Sequence, residues 1–414
     1  MVQAKVELLS ELDLQDYGEI RCFPGDINGD GVAEIIFMQA SDGPNRRGST
    51  GGYKHQKTVH AVTAINLKGE ILWQNGTPIG VTDRKFHGAG PCMVHDLNCD
   101  GKAEVVYVTV ENNLPMLRLL NGPTGQLVKE VETGASYNFI PANLRGLGAK
   151  RDFILGAAIN PVFAYTEDLE PLWDWHFVYG AGHHHAVADV NGDGFDEAFI
   201  GVCGLNAQGE RLWWRPDLDD AMEEMGRAPH IDNNRVVRLF HDSPEYQVIW
   251  IGGRDVICLN ASDGSFRWRF SGEHVQNHAI GRFDPDSPDQ LIFFSEKAHE
   301  KPSYMLDANG KVLWEKQLGQ GVAYTMHGAG PGGSDLAVNM TPLDGERPYA
   351  FNHRGEKVVE FPVEPYTIGE RRGKYVYDDL GQALTVKCFD LDGDGQDEVL
   401  LFNRQKLYAF KIAY

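Results

Sequence analysis

Acidic residues recur in this sequence with the type and spacing that metal ions with oxygen ligands require. The clearest stretch begins at Asp189 and continues through Asn191 and Asp193 to Glu197, with two glycines inside it. Side-chain oxygens offered from one tight turn are the ligands that a hard cation such as Ca²⁺ prefers. An EF-hand would place its last ligand at the twelfth position between helices, but short β-type runs flank this stretch. The pattern therefore predicts a β-hairpin turn that binds calcium.

The same turn occurs four times, and in altered form at Asp284. The alternative is that the carboxylates only stiffen the turns. The predicted calcium ligands are Asp26, Asn28, Asp30, Glu34, Asp96, Asn98, Asp100, Glu104, Asp189, Asn191, Asp193, Glu197, Asp390, Asp392, Asp394 and Glu398.

A second set of residues could transfer protons. Counted back from the first acid of each turn, His183 and His278 both stand six positions ahead of it. Other histidines and tyrosines stand close to this level in other repeats, so we expect them at one mouth of the fold. The catalytic candidates are His87, Tyr137, Tyr179, His183 and His278, and the substrate-binding candidates are Arg84, Arg235, His184, His274, Tyr324 and His327.

Imidazole and phenol groups beside arginines fit two kinds of chemistry. One is transition-metal binding, although the sequence has neither a helical His-x-x-x-His pair nor a Cys and His pairing. The other is removal of a proton next to a carboxylate, as at C5 of a uronic acid. That reaction needs the carboxylate neutralised by a cation, a base such as His or Tyr, and an acid for the leaving 4-oxygen.

The elements that must position these residues are short strands. Each acidic turn stands between β-type runs, and a second hairpin with glycine at its turn, such as Gly209 to Trp213, follows it. Four antiparallel strands per repeat predict an all-β fold, a β-propeller blade repeated radially. We count eight blades, with seven as the alternative, and expect the inner strand of the seventh blade to begin near Ala329. The third and seventh repeats lack the acids and should not bind calcium.

The last repeat lacks its outer strand, and the N-terminal run Lys5 to Leu9 can supply it. We therefore predict one propeller domain over residues 1–414, with residues 1–12 as the closing strand. Such closure pairs the two ends of the chain and leaves no open sheet edge.

Composition limits the partners and the compartment. The net charge of −21 argues against nucleic acid, and no apolar run is long enough to span a membrane. The six cysteines show no paired spacing. We expect a monomer, secreted or periplasmic if a signal segment has been removed and cytoplasmic otherwise.

The acidic turns, the eight repeats and the stretch from His274 to Phe294, which contains Asp284-Pro-Asp286, resemble the rhamnogalacturonan lyases of polysaccharide lyase family 11. More broadly, the chain is similar to the propeller lyases that cut ulvan and rhamnose-glucuronate polymers. It lacks the extra β-domain and long insertions of typical family 11 enzymes, and its compact size is closer to these other lyases.

The resemblance implies a lyase that cleaves a polysaccharide containing rhamnose and uronic acid by β-elimination at the uronate C5. The alternative is a non-catalytic calcium-binding propeller that binds glycan or protein. Glycoside hydrolysis normally needs two carboxyl groups that flank the bond to be cleaved. Apart from Asp83 and Glu273, no carboxylate stands at the predicted mouth, so hydrolysis ranks lower.

Overall fold

The computed structural model describes residues 4–42, 57–79, 92–135, 137–156, 161–176, 182–218, 231–296, 301–319, 323–366, 370–372, 375–377 and 384–414. Its strands form eight four-stranded antiparallel sheets and one short hairpin. The predicted eight-bladed β-propeller is confirmed, and the seven-bladed alternative is excluded. No helix within the described residues has the length and apolarity that a membrane crossing needs.

The chain begins with β1 (Lys5–Asp13) and then builds the blades in order. The strands of blades one to four are β2 (Cys22–Gly25), β3 (Glu34–Asp42), β4 (Lys57–Ile65), β5 (Ile71–Gly76), β6 (Cys92–His95), β7 (Glu104–Glu111), β8 (Leu114–Leu120), β9 (Leu127–Glu132), β10 (Asn138–Ala142), β11 (Asp152–Gly156), β12 (Val162–Tyr165), β13 (Pro171–Trp175), β14 (Ala186–Ala188), β15 (Glu197–Ile200), β16 (Cys203–Leu205) and β17 (Arg211–Trp214).

Blades five to eight follow in the same order, with a 3-10 turn (Pro216–Leu218) before blade five and another (Pro331–Gly333) within blade seven. Their strands, with the separate hairpin β30–β31, are β18 (Asn233–Val237), β19 (Gln247–Gly252), β20 (Asp255–Asn260), β21 (Phe266–Ser271), β22 (Val275–Gly281), β23 (Leu291–Glu296), β24 (Ser303–Leu306), β25 (Val312–Lys316), β26 (Ala323–Met326), β27 (Leu336–Asn339), β28 (Tyr349–Phe351), β29 (Lys357–Glu360), β30 (Glu370–Arg372), β31 (Tyr375–Tyr377), β32 (Thr385–Phe389), β33 (Glu398–Phe402) and β34 (Lys406–Ala413).

The second strand of each blade forms the core. β11, β15, β23 and β33 are buried at every residue, because neighbouring blades cover both faces of the sheet. This burial explains their continuous apolar sequences, which lack the alternation of a half-exposed strand. The outer strands, such as β9 and β17, keep exposed residues.

Tryptophans at the glycine hairpins join adjacent blades. Trp213 donates its indole N–H to the carbonyl of Ala261 in the next blade at 2.8 Å. Gly264 of that blade has a φ of +68°, and a Cβ there would come within 2.7 Å of the Trp213 ring. The hairpin glycine is therefore needed both for the turn and for the close approach.

The ring closes through its N-terminal strand, as predicted. β1 pairs antiparallel with β34 from Lys5 opposite Ala413 to Asp13 opposite Lys406, with one bulge. Behind this sheet Arg404 donates through Nε to Glu19 at 2.9 Å, and both side chains are almost fully buried. The last blade thus combines strands from both ends of the described chain.

The inner strand of blade seven differs from the prediction, which placed it near Ala329. The strand is β26, and Ala329 lies in the following turn, just before the 3-10 turn Pro331–Gly333. The glycines of this stretch explain the shift, because Gly328 and Gly332 adopt φ values of +67° and +65° that a strand does not allow.

Candidate active site

The inner strands bring several of the predicted residues to one end of the ring. Tyr137 directly precedes β10, and His183 stands three residues before β14. Arg235, His278 and Tyr324 lie within β18, β22 and β26. Successive inner strands run in parallel, as shown by the bridge between residues 184 and 233. Their N-terminal ends therefore lie at one mouth of the central channel.

Tyr137 and His183 form one pair at this mouth. The Tyr137 hydroxyl lies 2.8 Å from Nδ1 of His183, and the ring centroids are 5.4 Å apart. Backbone hydrogen bonds fix both residues: Tyr137 N donates to Gly156 O at 3.0 Å, and His183 N donates to Ile231 O at 3.0 Å. A phenol and an imidazole from adjacent blades are thus held in direct contact.

Burial and nearby charges set the protonation of Tyr137 and of the two histidines that follow His183. Burial raises the pKa of the Tyr137 phenol to about 12; Arg21 opposes this shift and Asp232 adds to it. Burial also lowers the pKa of His184 to about 3, helped by Arg235 and other positive neighbours. The pKa of His185 falls to about 3 for the same main reason. These side chains are therefore neutral at neutral pH.

Arg235 and His278 form the second pair. Arg235 donates through Nε to Nε2 of His278 at 2.7 Å, so this ring nitrogen is an acceptor and the ring proton belongs on Nδ1. The pair borders a cavity of about 600 Å³ lined by residues of the inner strands β18, β22 and β26 and by neighbouring residues. Its other lining residues include Arg238, Tyr246, Tyr324 and His327.

Arg21 completes the mouth, although the sequence analysis did not single it out. It directly precedes β2, and its charge opposes the rise in pKa that burial causes in both Tyr137 and Tyr324, which belong to blades three and seven. Arg21 stands five positions before Asp26, the place that His184 holds in blade four. Counting back from the first acid of the blade-one turn, as was done for the other blades, would have found Arg21.

His183 and His278 do not occupy equivalent positions, contrary to the predicted register. His278 lies three residues before Gly281, which pairs with Leu291 at the end of the inner strand. His183 lies five residues before the corresponding residue, Ala188. The cause is the blade-six turn, which keeps two additional residues between the end of the strand and its first acid.

His327 also departs from its predicted place. It follows the last residue of β26, at the opposite end of that strand from the mouth. Its Nδ1 lies 3.4 Å from Asp335, a hydrogen bond that raises the pKa of the imidazole. The misplaced inner strand of blade seven explains the error. His274 directly precedes β22, and the remaining candidates, His87, Tyr179 and Arg84, lie outside the described residues.

The acidic turns lie at the other end of the inner strands, because each turn follows the C-terminal end of its strand. In blade one, Asp26 accepts the backbone N–H of Gly31 at 2.8 Å, and Glu34 accepts that of Ile27 at 3.1 Å. The Asn28 amide nitrogen donates to Glu34 at 2.8 Å. Blades two and four repeat these contacts. Each turn is therefore closed by its own hydrogen bonds.

The closing acids of these three turns carry a charge that the turn itself does not balance. Burial and the neighbouring aspartates raise the pKa of Glu34 to about 6 and that of Glu197 to about 7, and they also raise the pKa of Glu104. Rotation of the Asn28 amide would present an oxygen in place of the nitrogen. The donor set of blades one, two and four therefore fits a hard cation.

Blade eight differs, because a lysine reaches its turn. Asp390, Asp392 and Glu398 place carboxylate oxygens within 4.8 Å of one another. Nζ of Lys411 lies 2.7 Å from Asp392, 2.7 Å from Asp394 and 3.0 Å from Glu398. These acids raise the pKa of the ammonium. Its charge thus lies beside three of the four residues predicted to bind calcium in this blade.

Blade three uses an arginine in a related way. Arg145 donates through Nε to Asp152 at 2.6 Å, and its backbone N–H donates to the other oxygen at 3.0 Å. Asp152 is fully buried and begins β11, as Glu34 begins β3. The guanidinium therefore balances the charge of this turn.

Comparison with known proteins identifies relatives of one kind. No protein-family model matches the chain. The chain is 24% identical over 330 residues to the rhamnogalacturonan endolyase YesW of Bacillus subtilis (strain 168), a match that covers 80% of this chain and 45% of YesW. It is 26% identical over 243 residues to the rhamnogalacturonan exolyase YesX of the same organism, covering 46% of this chain and 39% of YesX. The chain thus spans less than half the length of these relatives.

Solved structures share the fold. The exotype rhamnogalacturonan lyase YesX superposes with a TM-score of 0.65 at 19% identity, covering 99% of this chain and 72% of YesX. A Bacillus licheniformis rhamnogalacturonan lyase, described as PL11, gives 0.63 at 19% identity with the same coverage. The biofilm matrix protein Bap1 of V. cholerae gives 0.61 at 13% identity, covering 99% of this chain and 91% of Bap1. The predicted resemblance is thereby confirmed: the chain is similar in sequence and in fold to rhamnogalacturonan lyases of the family 11 type.

Proposed function

We propose that this protein is a polysaccharide lyase that cleaves a pectic polysaccharide containing rhamnose and uronic acid by β-elimination. The observation that carries the proposal is the meeting of two pairs, Tyr137 with His183 and Arg235 with His278, at one mouth of the channel. The names of the relatives support the substrate class.

The two arginines supply the positive charge that the reaction needs. Removal of the C5 proton places negative charge on the uronate carboxylate, so cations beside that carboxylate stabilise the transition state. Arg235 uses Nε for His278, and its two Nη nitrogens can still form a forked pair of hydrogen bonds with a carboxylate. Arg21, close to Tyr137 and Tyr324, can add a second charge.

Phenol groups on different blades supply the proton transfers. In a galacturonic acid residue, the C5 hydrogen and the 4-oxygen lie on opposite faces of the ring, so base and acid must approach from opposite sides. The pair of Tyr137 and His183 comes from blades three and four. Tyr324 comes from blade seven, and its side chain is 42% exposed. The pair would take the proton at C5, and the Tyr324 phenol would protonate the leaving oxygen.

We also propose that calcium binds in the acidic turns of blades one, two and four. The closing glutamates and the first aspartates of those turns would hold the ion, which would offset their shared negative charge. In blade eight Lys411 supplies that charge. Because these turns lie at the opposite end of the inner strands from the mouth, their calcium would stabilise the fold and take no part in the reaction.

The proposal is tested by incubating the protein with rhamnogalacturonan, ulvan and gum arabic side chains and following the ultraviolet absorbance of the unsaturated uronate product. We expect activity on rhamnogalacturonan. A polymer shortened by hydrolysis, without an unsaturated end, would contradict the lyase mechanism. No cleavage of any of the three polymers would favour the non-catalytic glycan-binding alternative.

The site is tested with His183→Ala, His278→Ala and His87→Ala, and with His176→Ala as control, since the His176 side chain is 67% exposed on the outer edge of blade three. Loss of a proton-transferring group should lower kcat roughly 10²- to 10⁴-fold with an unchanged melting temperature. If all three variants keep near-parent activity, the site lies elsewhere.

A further inference from the structure

A buried carboxylate stands behind the pair of Tyr137 and His183. Oδ1 of Asp232 lies 3.8 Å from Nε2 of His183, on the opposite side of the ring from the Tyr137 hydroxyl. The three residues come from blades three, four and five, and Asp232 is only 3% exposed. The carbonyl of Asp232 also accepts the backbone N–H of His184 at 3.1 Å, which fixes this aspartate beside the histidine run.

His183 lies between the Asp232 carboxylate and the Tyr137 hydroxyl, and this placement determines which nitrogen of its ring carries the proton. A negative charge beside Nε2 favours a proton on that nitrogen, and the lone pair of Nδ1 then faces the Tyr137 hydroxyl. The same order orients the histidine in hydrolases that use a serine, a histidine and an aspartate. In this arrangement Tyr137 donates its hydrogen to His183 and can turn its oxygen lone pairs to a ligand in the channel.

We propose that Asp232 is a positioning residue, that His183 acts through Tyr137, and that Tyr137 is the group that removes the substrate proton. This inference rests on the proposed lyase function. It assigns roles that neither the sequence pattern nor the relatives supply.

The step balances as follows. The C5–H bond breaks and its proton joins the Tyr137 oxygen, while the original hydroxyl proton moves to Nδ1 of His183. The electron pair of the C5–H bond forms the C4–C5 double bond. The C4–O bond breaks, its pair stays on the leaving oxygen, and that oxygen takes the proton of Tyr324. Solvent then returns a proton to Tyr324 and removes one from His183.

Such a relay suits the surroundings of Tyr137. A phenol with a raised pKa has almost no phenolate at neutral pH, so it is a weak base by itself. If its own proton leaves as the new one arrives, no free phenolate has to form. The charged or titratable groups facing the phenol are Arg21, Asp232, His183 and His184. Asp232 stabilises the imidazolium that the transfer creates.

The first test is Asp232→Asn, with Asp174→Asn as matched control because Asp174 forms an exposed pair with His176 at 3.2 Å. Without substrate, loss of the Asp232 charge should lower the pKa of the Tyr137 phenol in an ultraviolet titration; Tyr137→Phe identifies the signal.

With substrate, kcat/KM of Asp232→Asn should fall roughly 10²- to 10⁴-fold. The acidic limb of its pH profile should move to lower pH, because His183 would hold its proton less tightly. Asp232→Glu should restore part of the rate.

The outcomes separate the inference from the function. An unchanged Tyr137 titration and acidic limb in Asp232→Asn would overturn the role of Asp232, whatever the activity of the parent. Tyr137→Phe with parent-like activity would overturn the relay alone. If Asp232→Asn does not fold, nitrogen NMR of the parent decides: His183 should carry its proton on Nε2, and a proton on Nδ1 would contradict the inference. A parent inactive on every polymer would refute the lyase, while the titration would still test the coupling.

Discussion

Three consecutive histidines occupy three different environments. His183 bonds to Tyr137, and His184 lies among positive charges at the channel mouth. His185 is 3% exposed, and neither of its ring nitrogens has a hydrogen-bond partner within the described residues. A run that looks uniform in sequence therefore contains one histidine bonded to a tyrosine, which we propose transfers a proton, and two histidines held neutral.

The neutral histidines should make the protein sensitive to acid. The pKa values of His184 and His185 in the folded state, each about 3, lie below the ordinary value of 6.5, so protonation favours the unfolded chain. Their contribution to stability is complete above pH 6.5 and is lost as the pH falls towards 3. The free energy of unfolding should fall by up to about 1.4 kcal/mol per pH unit for each such histidine.

His185→Leu removes one of these groups, so denaturant unfolding at several pH values between 7 and 4 should show a flatter dependence than the parent. His176→Leu removes an exposed histidine and should leave the slope unchanged. Equal slopes for the parent and His185→Leu would mean that His185 becomes protonated in the folded state.

For individual residues, the sequence predicted which residue types form the candidate site better than it predicted the contacts between them. Repeat spacing placed Tyr137 and His183 at the level of the inner-strand entries, and each does precede an inner strand. It missed Asp232, since the fifth blade has no acidic turn from which to count. It also could not reveal that Arg235 bonds to His278, because that contact depends on the different lengths of two turns.

The turns of five blades treat their acidic residues in three ways. In blades one, two and four an asparagine amide donates to the closing glutamate but brings no positive charge. Arg145 in blade three and Lys411 in blade eight do supply a positive charge. Lys411 could not be predicted, because it belongs to β34 and reaches the turn only through the pairing of that strand with β33. Turn residues were thus predictable from their own motif, but a partner from another strand was not.

Replacing Lys411 should therefore destabilise blade eight and expose a dependence on calcium. Lys411→Met leaves three carboxylates without their ammonium, and Glu398 among them is fully buried. Asp392 and Asp394 are about half exposed, so solvent screens their charges and weakens their part of the interaction. We therefore expect a loss of about 1 to 3 kcal/mol in the free energy of unfolding. Added calcium should restore more stability to the variant than it adds to the parent.

Lys406→Met is the control, since Lys406 lies on the same strand but is 52% exposed and 3.6 Å from Glu11. For Lys406→Met, both the loss in the free energy of unfolding and the stabilisation by added calcium should be much smaller. If a chelator leaves the melting temperature of the parent unchanged, calcium does not bind in blades one, two and four either.

The complete ring depends on the strand contributed by the N-terminal end. Without β1 the last blade would have three strands, and β34 would present an unpaired edge. The sequence predicted this closure because one outer strand was missing from an otherwise regular count. The inner strand of blade seven was misplaced because its glycine-rich turn resembles the entries of other blades.

Deletion of residues 1–12 should consequently destabilise the whole ring. The change opens the β1–β34 edge and uncovers core residues of blades one and eight. Thermal unfolding of the truncated protein should occur at a clearly lower temperature, with a greater tendency to aggregate. A truncated protein that melts like the parent would show that β1 does not hold the ring together.

The buried ion pair of Glu19 and Arg404 has a further consequence for how the protein is made. The two residues stand 385 positions apart, so neither can find its partner until the ribosome has synthesised nearly all of the intervening chain. At ordinary rates of translation that delay is roughly 20 to 80 s, long compared with the folding of a single hairpin. During this time Glu19 has not met Arg404, and β1 has no partner strand. Nascent chains should therefore depend on chaperones most strongly just before the last blade emerges, and slowing translation near Arg404 should increase aggregation.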